Sequence, residues 1–164
     1  MVDAMSRVKG ECRAVLRGRS SDFVDYSALL HQKADADARV TVGGPFARDG
    51  LAQALSEIDV LVVPSTWHEN APFVVLEARA AGLPVIASRF GGLSEVVRNE
   101  VDGELFEAGN SDDLARRLQR LVDEPALLER YRRAVCAPKT LQDAVEEFEL
   151  LYHGACRPIQ QRLE

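Results

Sequence analysis

Residues 60–95 read VLVVPSTWHENAPFVVLEARAAGLPVIASRFGGLSE. A short apolar run, 60–63, ends at Pro64. A polar loop, 65–71, follows, and Pro72 then stands at the first position of a helical pattern that continues to Ala81. Proline suits that position because its missing N–H costs nothing there and its fixed φ is already helical. A second apolar run, 85–87, comes next and is closed by Gly91-Gly92. Strand, loop, helix and strand in this order make a βαβ unit. Short apolar strands without alternation are those of a parallel sheet buried on both faces.

The same alternation extends outward in both directions. Strands are predicted at 14–17, 39–42 and 104–106, the last preceded by a turn at Val101-Asp102-Gly103, with helices at 23–36, 48–58 and 93–98. Ser111 is predicted as the N-cap of a helix running through Leu121 and Val122. Pro125 opens the next helix and Pro138 breaks it. A final amphipathic helix, 141–152, carries Val145, Phe148, Leu151 and Tyr152 on one face and is expected to cover an edge of the sheet. The predicted fold class is α/β, one doubly wound parallel sheet of Rossmann-like type, spanning residues 13–164. Residues 1–12 are the least defined segment and are expected to be disordered or a remnant.

A chain of 164 residues with 46% apolar and 28% charged content has enough material for one buried core. Its formal charge of −6 argues against a nucleic-acid surface, which needs a cationic stripe. The three cysteines, Cys12, Cys136 and Cys156, match neither a disulfide framework nor a paired zinc motif, and His31, His68 and His153 are scattered. No metal and no cofactor are expected. No run approaches the roughly 18 apolar residues of a membrane span, and the N-terminus lacks the apolar centre of a signal peptide. A soluble, cytoplasmic protein without a transmembrane segment is the expectation.

Two carboxylates stand out at the start of the helix headed by Pro72. The N–H groups of Phe73, Val74 and Val75 lack intrahelical partners there, at the carboxyl end of a parallel strand, where open α/β sheets place ligands. Glu77 has Phe73, Val74, Ala80 and Ala81 one turn away, none able to pair with it. It therefore reaches a cleft or is a solvated edge residue. Glu69, just before the helix, either contacts a ligand or serves the helix dipole. Trp67 either walls a pocket or belongs to the core. Gly43-Gly44 and Gly91-Gly92 follow strands, but neither fits the GxGxxG pattern, and no GxxxxGK[ST] run is present, which argues against a nicotinamide-dependent oxidoreductase and a P-loop NTPase. A receiver-type domain lacks its acidic cluster after the first strand.

Pro64-Ser65, Trp67, Glu69-Asn70, Pro72, Val74, Leu76-Glu77-Ala78, Ala81-Gly82, Pro84 through Ser88, Gly91-Gly92 and Glu95 together closely resemble the donor-binding signature of family 4 retaining glycosyltransferases. The likeness covers about residues 13–135. In that family two Rossmann-like domains face each other (the GT-B arrangement), and the C-terminal one holds a nucleotide-sugar. The resemblance implies that Glu69, as the catalytic candidate, faces the transferred sugar. It implies that Glu77 accepts from the ribose hydroxyls, that the backbone of Asn70, Ala71, Pro72 and Phe73 lies against sugar and phosphate, and that the loop at Gly44 borders the base.

The departures bear on activity. The family keeps an arginine and a lysine five residues on, at the end of the domain's first strand, to neutralise the departing diphosphate. Here Arg7, Lys9 and Gly10 are the only echo, and Val74 stands where the family commonly has glycine. The acceptor-binding domain is not in this sequence. Transfer needs both a stabilised leaving phosphate and an acceptor held in line. The expectation is therefore the donor-binding domain of a hexosyltransferase, apparently truncated and inactive alone, whose partners are a nucleoside diphosphate-sugar and an acceptor-binding domain or chain. The alternative is a noncatalytic assembly or regulatory module that keeps the fold, with self-association through any uncovered apolar face.

Overall fold

The computed structural model describes residues 1–19, 21–70 and 72–155. Their elements run α1 (Val2–Met5), β1 (Ala14–Arg17), α2 (Val24–Ala34), β2 (Val40–Gly43), a 3-10 turn (Arg48–Gly50) leading into α3 (Leu51–Ser56), β3 (Leu61–Val63), α4 (Phe73–Ala80), β4 (Val85–Ser88), α5 (Leu93–Val96), β5 (Gly103–Phe106), α6 (Ser111–Asp123), α7 (Pro125–Ala134) and α8 (Leu141–Ala155). Each predicted strand is present within a residue or so of its expected bounds, and every strand pairing is parallel. Cys156 lies outside the described residues.

The strands form two hydrogen-bonded sheets, β1-β2 and β3-β4-β5, rather than one continuous sheet. Alternate residues of the larger sheet feed two cores. Val62, Ile86 and Phe106 point to one side, where they meet Ala14, Leu16, Val40 and Val42 of the smaller sheet under helices α1, α2, α6 and α7. Leu61, Val63, Val85, Ala87 and Leu105 point to the other side, where α3, α4 and α5 supply Leu55, Val75, Ala78 and Leu93. Period-two side-chain direction is what lets one strand serve both layers. On the smaller sheet the second face is open, and Val15 is 50% exposed.

The N-terminal segment departs from the expectation of disorder. Val2, Ala4, Met5 and Val8 are buried in the first core. Arg39, at the entry to β2, donates to the carbonyls of Val8 at 2.7 Å and Met5 at 2.9 Å while it is held by Asp37. The Met5 carbonyl also accepts from the Val8 N–H at 3.1 Å, so the guanidinium ties the turn after α1 to the entry of β2. Lys33 of α2 adds an ion pair to Asp3 at 2.7 Å. The guanidinium of Arg39 in turn holds the Asp37 carboxyl down at about 2.

Two other expectations are corrected. Asn110, not Ser111, caps α6: its Oδ1 accepts from the N–H groups of Asp112 and Asp113 at 3.0 Å. Helix α8 covers no sheet edge among the described residues. Phe148, Leu151 and Tyr152 are exposed, each by more than half. No helix among the described residues is long and apolar enough to cross a membrane.

A buried acid inside β5 was not flagged by the sequence. Glu104 is fully enclosed on the α6–α7 side. It accepts from Arg117 and Arg120 at 3.0 Å and from the Tyr131 hydroxyl at 2.6 Å. Burial, reinforced by the bond to Glu104, pushes the Tyr131 hydroxyl up to about 12.

Candidate functional site

Strands β3 and β4 are parallel neighbours, so the loops that leave their carboxyl ends emerge side by side. The first loop runs from Pro64 to Asn70 and the second from Arg89 to Gly92. They are locked together. The Gly92 N–H donates to the Glu69 carbonyl at 2.7 Å, and the rings of His68 and Phe90 stack with centroids 4.2 Å apart. Ser65, buried at the exit of β3, donates its hydroxyl to Glu69 Oε1 at 3.1 Å. Glu69 is half-buried and held at both its main chain and its side chain.

Gly92 is required by this contact. A Cβ there would lie within 3 Å of the carbonyl oxygens of Glu69 and Asn70, which are backbone atoms that cannot rotate away. The Gly91-Gly92 pair therefore brings one loop against the other. Gly92→Ala is expected to destabilise the chain by about 1–3 kcal/mol, as overpacking does, and to displace Glu69. Thermal melting together with the amide resonances of Glu69 and Asn70 checks this. An unchanged melting temperature and unchanged resonances would contradict it.

Helix α4 begins beyond the first loop. Pro72 is its N-cap, one position earlier than the sequence reading placed it, and makes no side-chain cap. Val75 donates to the Pro72 carbonyl at 2.9 Å, so only Phe73 and Val74 keep N–H groups with no partner among the described residues. Phe73 is 74% exposed and buries none of the helix entrance. One turn further, Glu77 is half-buried, and its carboxylate has no hydrogen bond or ion pair with a described residue. Together these are two free donors and two carboxylates along one loop and helix start, a constellation suited to a polyhydroxylated anion.

The remaining predicted site residues divide. Asn70 is exposed, and its carbonyl faces the Gly92 backbone. Ala71 lies outside the described residues. Gly44 sits in the exposed loop after β2, where an added Cβ would meet nothing within 4 Å. No hydrogen bond joins that loop to Glu69 or Glu77 among the described residues. Trp67 is 63% exposed, which removes it from the core. Arg7 is engaged by Asp112 at 2.7 Å and by the Asp3 carbonyl, and the Lys9 main chain is tied to Gln119. The bond from Ser65 to Glu69 and the His68–Phe90 pair were missed by sequence reasoning, because a hydroxyl four residues before a glutamate and an aromatic in the next loop do not reveal that they will meet.

The chain as a whole is similar to known proteins. A family described as "Glycosyl transferases group 1" matches residues 1–136. The chain is 44% identical over 91 residues to D-inositol 3-phosphate glycosyltransferase of Rhodococcus opacus, a stretch covering 56% of this chain and 20% of that protein. Among solved structures it resembles Anabaena Alr3699/HepE in complex with UDP-glucose, with 27% identity and a TM-score of 0.74 over 82% of this chain and 37% of that one. It also resembles sucrose-phosphate synthase of Thermosynechococcus elongatus, with 30% identity and a TM-score of 0.76 over 94% of this chain and 41% of that one. The chain spans about a fifth of the length of most of the curated relatives it matches.

Proposed function

The chain belongs to the group 1 glycosyl transferases, and from that premise we propose that it is the donor-binding part of a family 4 retaining hexosyltransferase. Its Rossmann-like fold is that of a GT-B enzyme. In this reading the diphosphate of a nucleoside diphosphate-sugar takes the free N–H groups of Phe73 and Val74. Glu77 accepts from the ribose hydroxyls, and Glu69 meets the transferred sugar. Asn70, Ala71 and Pro72 border the phosphate and sugar through their main chain, and Gly44 lies toward the base. The nucleotide-sugar enters as substrate, and the reading assigns no cofactor.

The observation that carries it is Glu77, a half-buried carboxylate with no partner among the described residues, on the helix whose first two N–H groups have none among them either. The UDP-glucose named for the Anabaena relative supports the ligand class. Glu69 fits its role because Ser65 and Gly92 fix it before any ligand arrives, and a pre-oriented carboxylate adds no reorganisation cost at the reacting face. Transfer also needs an acceptor held in line, which in this reading the acceptor-binding half of the enzyme supplies.

A melting screen against UDP, GDP and ADP and their sugars tests the proposal. A ligand at a hundred times its Kd adds about 2.7 kcal/mol. For a domain of this size that raises the midpoint by roughly 5–10 °C. One nucleotide series should produce that rise, and no shift with any of them would overturn the reading.

A second reading, a noncatalytic module that assembles with another chain, is favoured by the exposed apolar residues of α8. It predicts no nucleotide shift in the same screen.

A further inference from the structure

The first residue past β4 is a cation with no partner among the described residues. The Arg89 N–H continues the β4–β5 ladder one step beyond the strand, donating to the Phe106 carbonyl at 2.6 Å. The next N–H, that of Phe90, turns back to the Ser88 carbonyl at 2.8 Å. A bond that skips one residue makes a γ-turn, a common strand ending, and Arg89 stands at its corner. Its main chain is therefore fixed on both sides. Its side chain is exposed, and the guanidinium has no hydrogen bond or ion pair with a described residue. Arg79 of α4 and Arg98 beyond α5 differ, since both are tied to Asp102 and to main-chain carbonyls.

Alternation and register bring Arg89 to the candidate site. Val85 and Ala87 face the core under α4 and α5, and the ladder carries that alternation on to residue 89. Arg89 is thus on the face where α4 opens its unpaired N–H groups. The pairing of β3 with β4 sets Leu61 against Val85 and Val63 against Ala87, and two residues further the same register sets Ser65 against Arg89. Ser65 is the residue that holds the Glu69 carboxylate. The stack of Phe90 on His68 and the bond from Gly92 to the Glu69 carbonyl show that the two loops keep this side-by-side course past the strands. Arg89 forms no ion pair with Glu69, so its charge stays available to a ligand.

We propose that Arg89 holds the sugar-side phosphate of the nucleoside diphosphate-sugar, in addition to the N–H groups of Phe73 and Val74. The presence of a nucleotide rests on the donor-site reading, and the position of Arg89 rests on the ladder, the register and the turn. With Glu77 on the ribose and Glu69 on the sugar, the phosphate nearer Glu69 is the distal one, and Arg89 stands beside the residue that anchors Glu69. Two carboxylates flank a ligand that is itself anionic, and N–H dipoles offset that repulsion only in part. A guanidinium supplies a full opposite charge and a fork of donors that matches two phosphate oxygens. Because its main chain is already fixed, only the side chain has to be ordered on binding.

The test is calorimetric titration of the full chain with whichever of UDP, GDP and ADP it binds most tightly, and with the matching monophosphate. Arg89→Ala should weaken the diphosphate by about tenfold or more and the monophosphate by less than about twofold, because the shorter ligand lacks the phosphate that Arg89 holds. Arg89→Lys keeps the charge without the fork and should recover part of the loss. Arg133→Ala removes an equal charge from α7, which packs on the other side of the sheet, and should leave both affinities unchanged. Should the alanine variant not fold, Arg89→Gln, which keeps the stem without the charge, carries the same comparison. Unaltered diphosphate affinity in the Arg89 variant, equal weakening of the two ligands, or an equal loss in Arg133→Ala would each overturn the assignment. A chain that binds none of the three diphosphates overturns the donor reading and this assignment with it. One that binds a diphosphate with or without the Arg89 side chain overturns this assignment alone.

Discussion

Glu104→Ala is expected to lower the unfolding free energy by about 3 kcal/mol. Removing one member of a buried charged network costs roughly 3–5 kcal/mol because the partners stay behind uncompensated. Here the figure falls at the lower end. Arg117 and Arg120 are 25% and 33% exposed, so they can turn toward water, and Arg120 keeps Glu100 at 3.2 Å. Tyr131 has no such outlet. Its ring is fully enclosed and its hydroxyl loses its acceptor at 2.6 Å. Glu104→Gln restores an acceptor for that hydroxyl without the charge and should recover part of the loss. Denaturant midpoints at constant m-value measure both, and the whole stability of an ordinary domain is only about 5–15 kcal/mol, so the alanine change is easily seen. A loss below about 1 kcal/mol for the alanine variant would mean that the network contributes little.

Glu77→Ala should leave that midpoint nearly unchanged and weaken nucleotide binding by about ten- to a hundredfold. Glu77 makes no bond within the described protein, and alanine is the better helix former, so nothing in the fold depends on the carboxylate. A hydrogen bond to a charged group is worth about 1.5–3 kcal/mol, which converts to that range of affinity. Glu77→Gln keeps one acceptor and should fall between the two. Calorimetric titration with the nucleotide that the melting screen selects reads the effect. An unaltered Kd in the alanine variant would remove Glu77 from the ribose.

The two glutamates differ in how the sequence could reveal them. Glu77 is legible because a carboxylate among Phe73, Val74, Ala80 and Ala81 is anomalous on a local helical wheel. Glu104 is not, because a short strand gives no sign of which helix will lie over it. Its partners come from two helices further along the chain, and only their docking makes the acid buried rather than solvated. Helix α8 failed in the opposite sense. Its apolar spacing was read correctly, but spacing identifies a face without saying what that face meets.

What the sequence determined by itself is the class of the fold and the place of the candidate site. Apolar runs, proline at a helix entrance and acids beside it are short-range signals, so the β3–α4–β4 unit with Glu69 and Glu77 could be read directly. The tertiary structure alone decided that Gly92 presses the second loop onto Glu69, that Arg39 ties down the N-terminal helix, and that the strands pair as two hydrogen-bonded sheets. Each of these depends on contacts between elements far apart in the chain, and the energy of such contacts is set by packing and by hydrogen-bond geometry that no local pattern encodes.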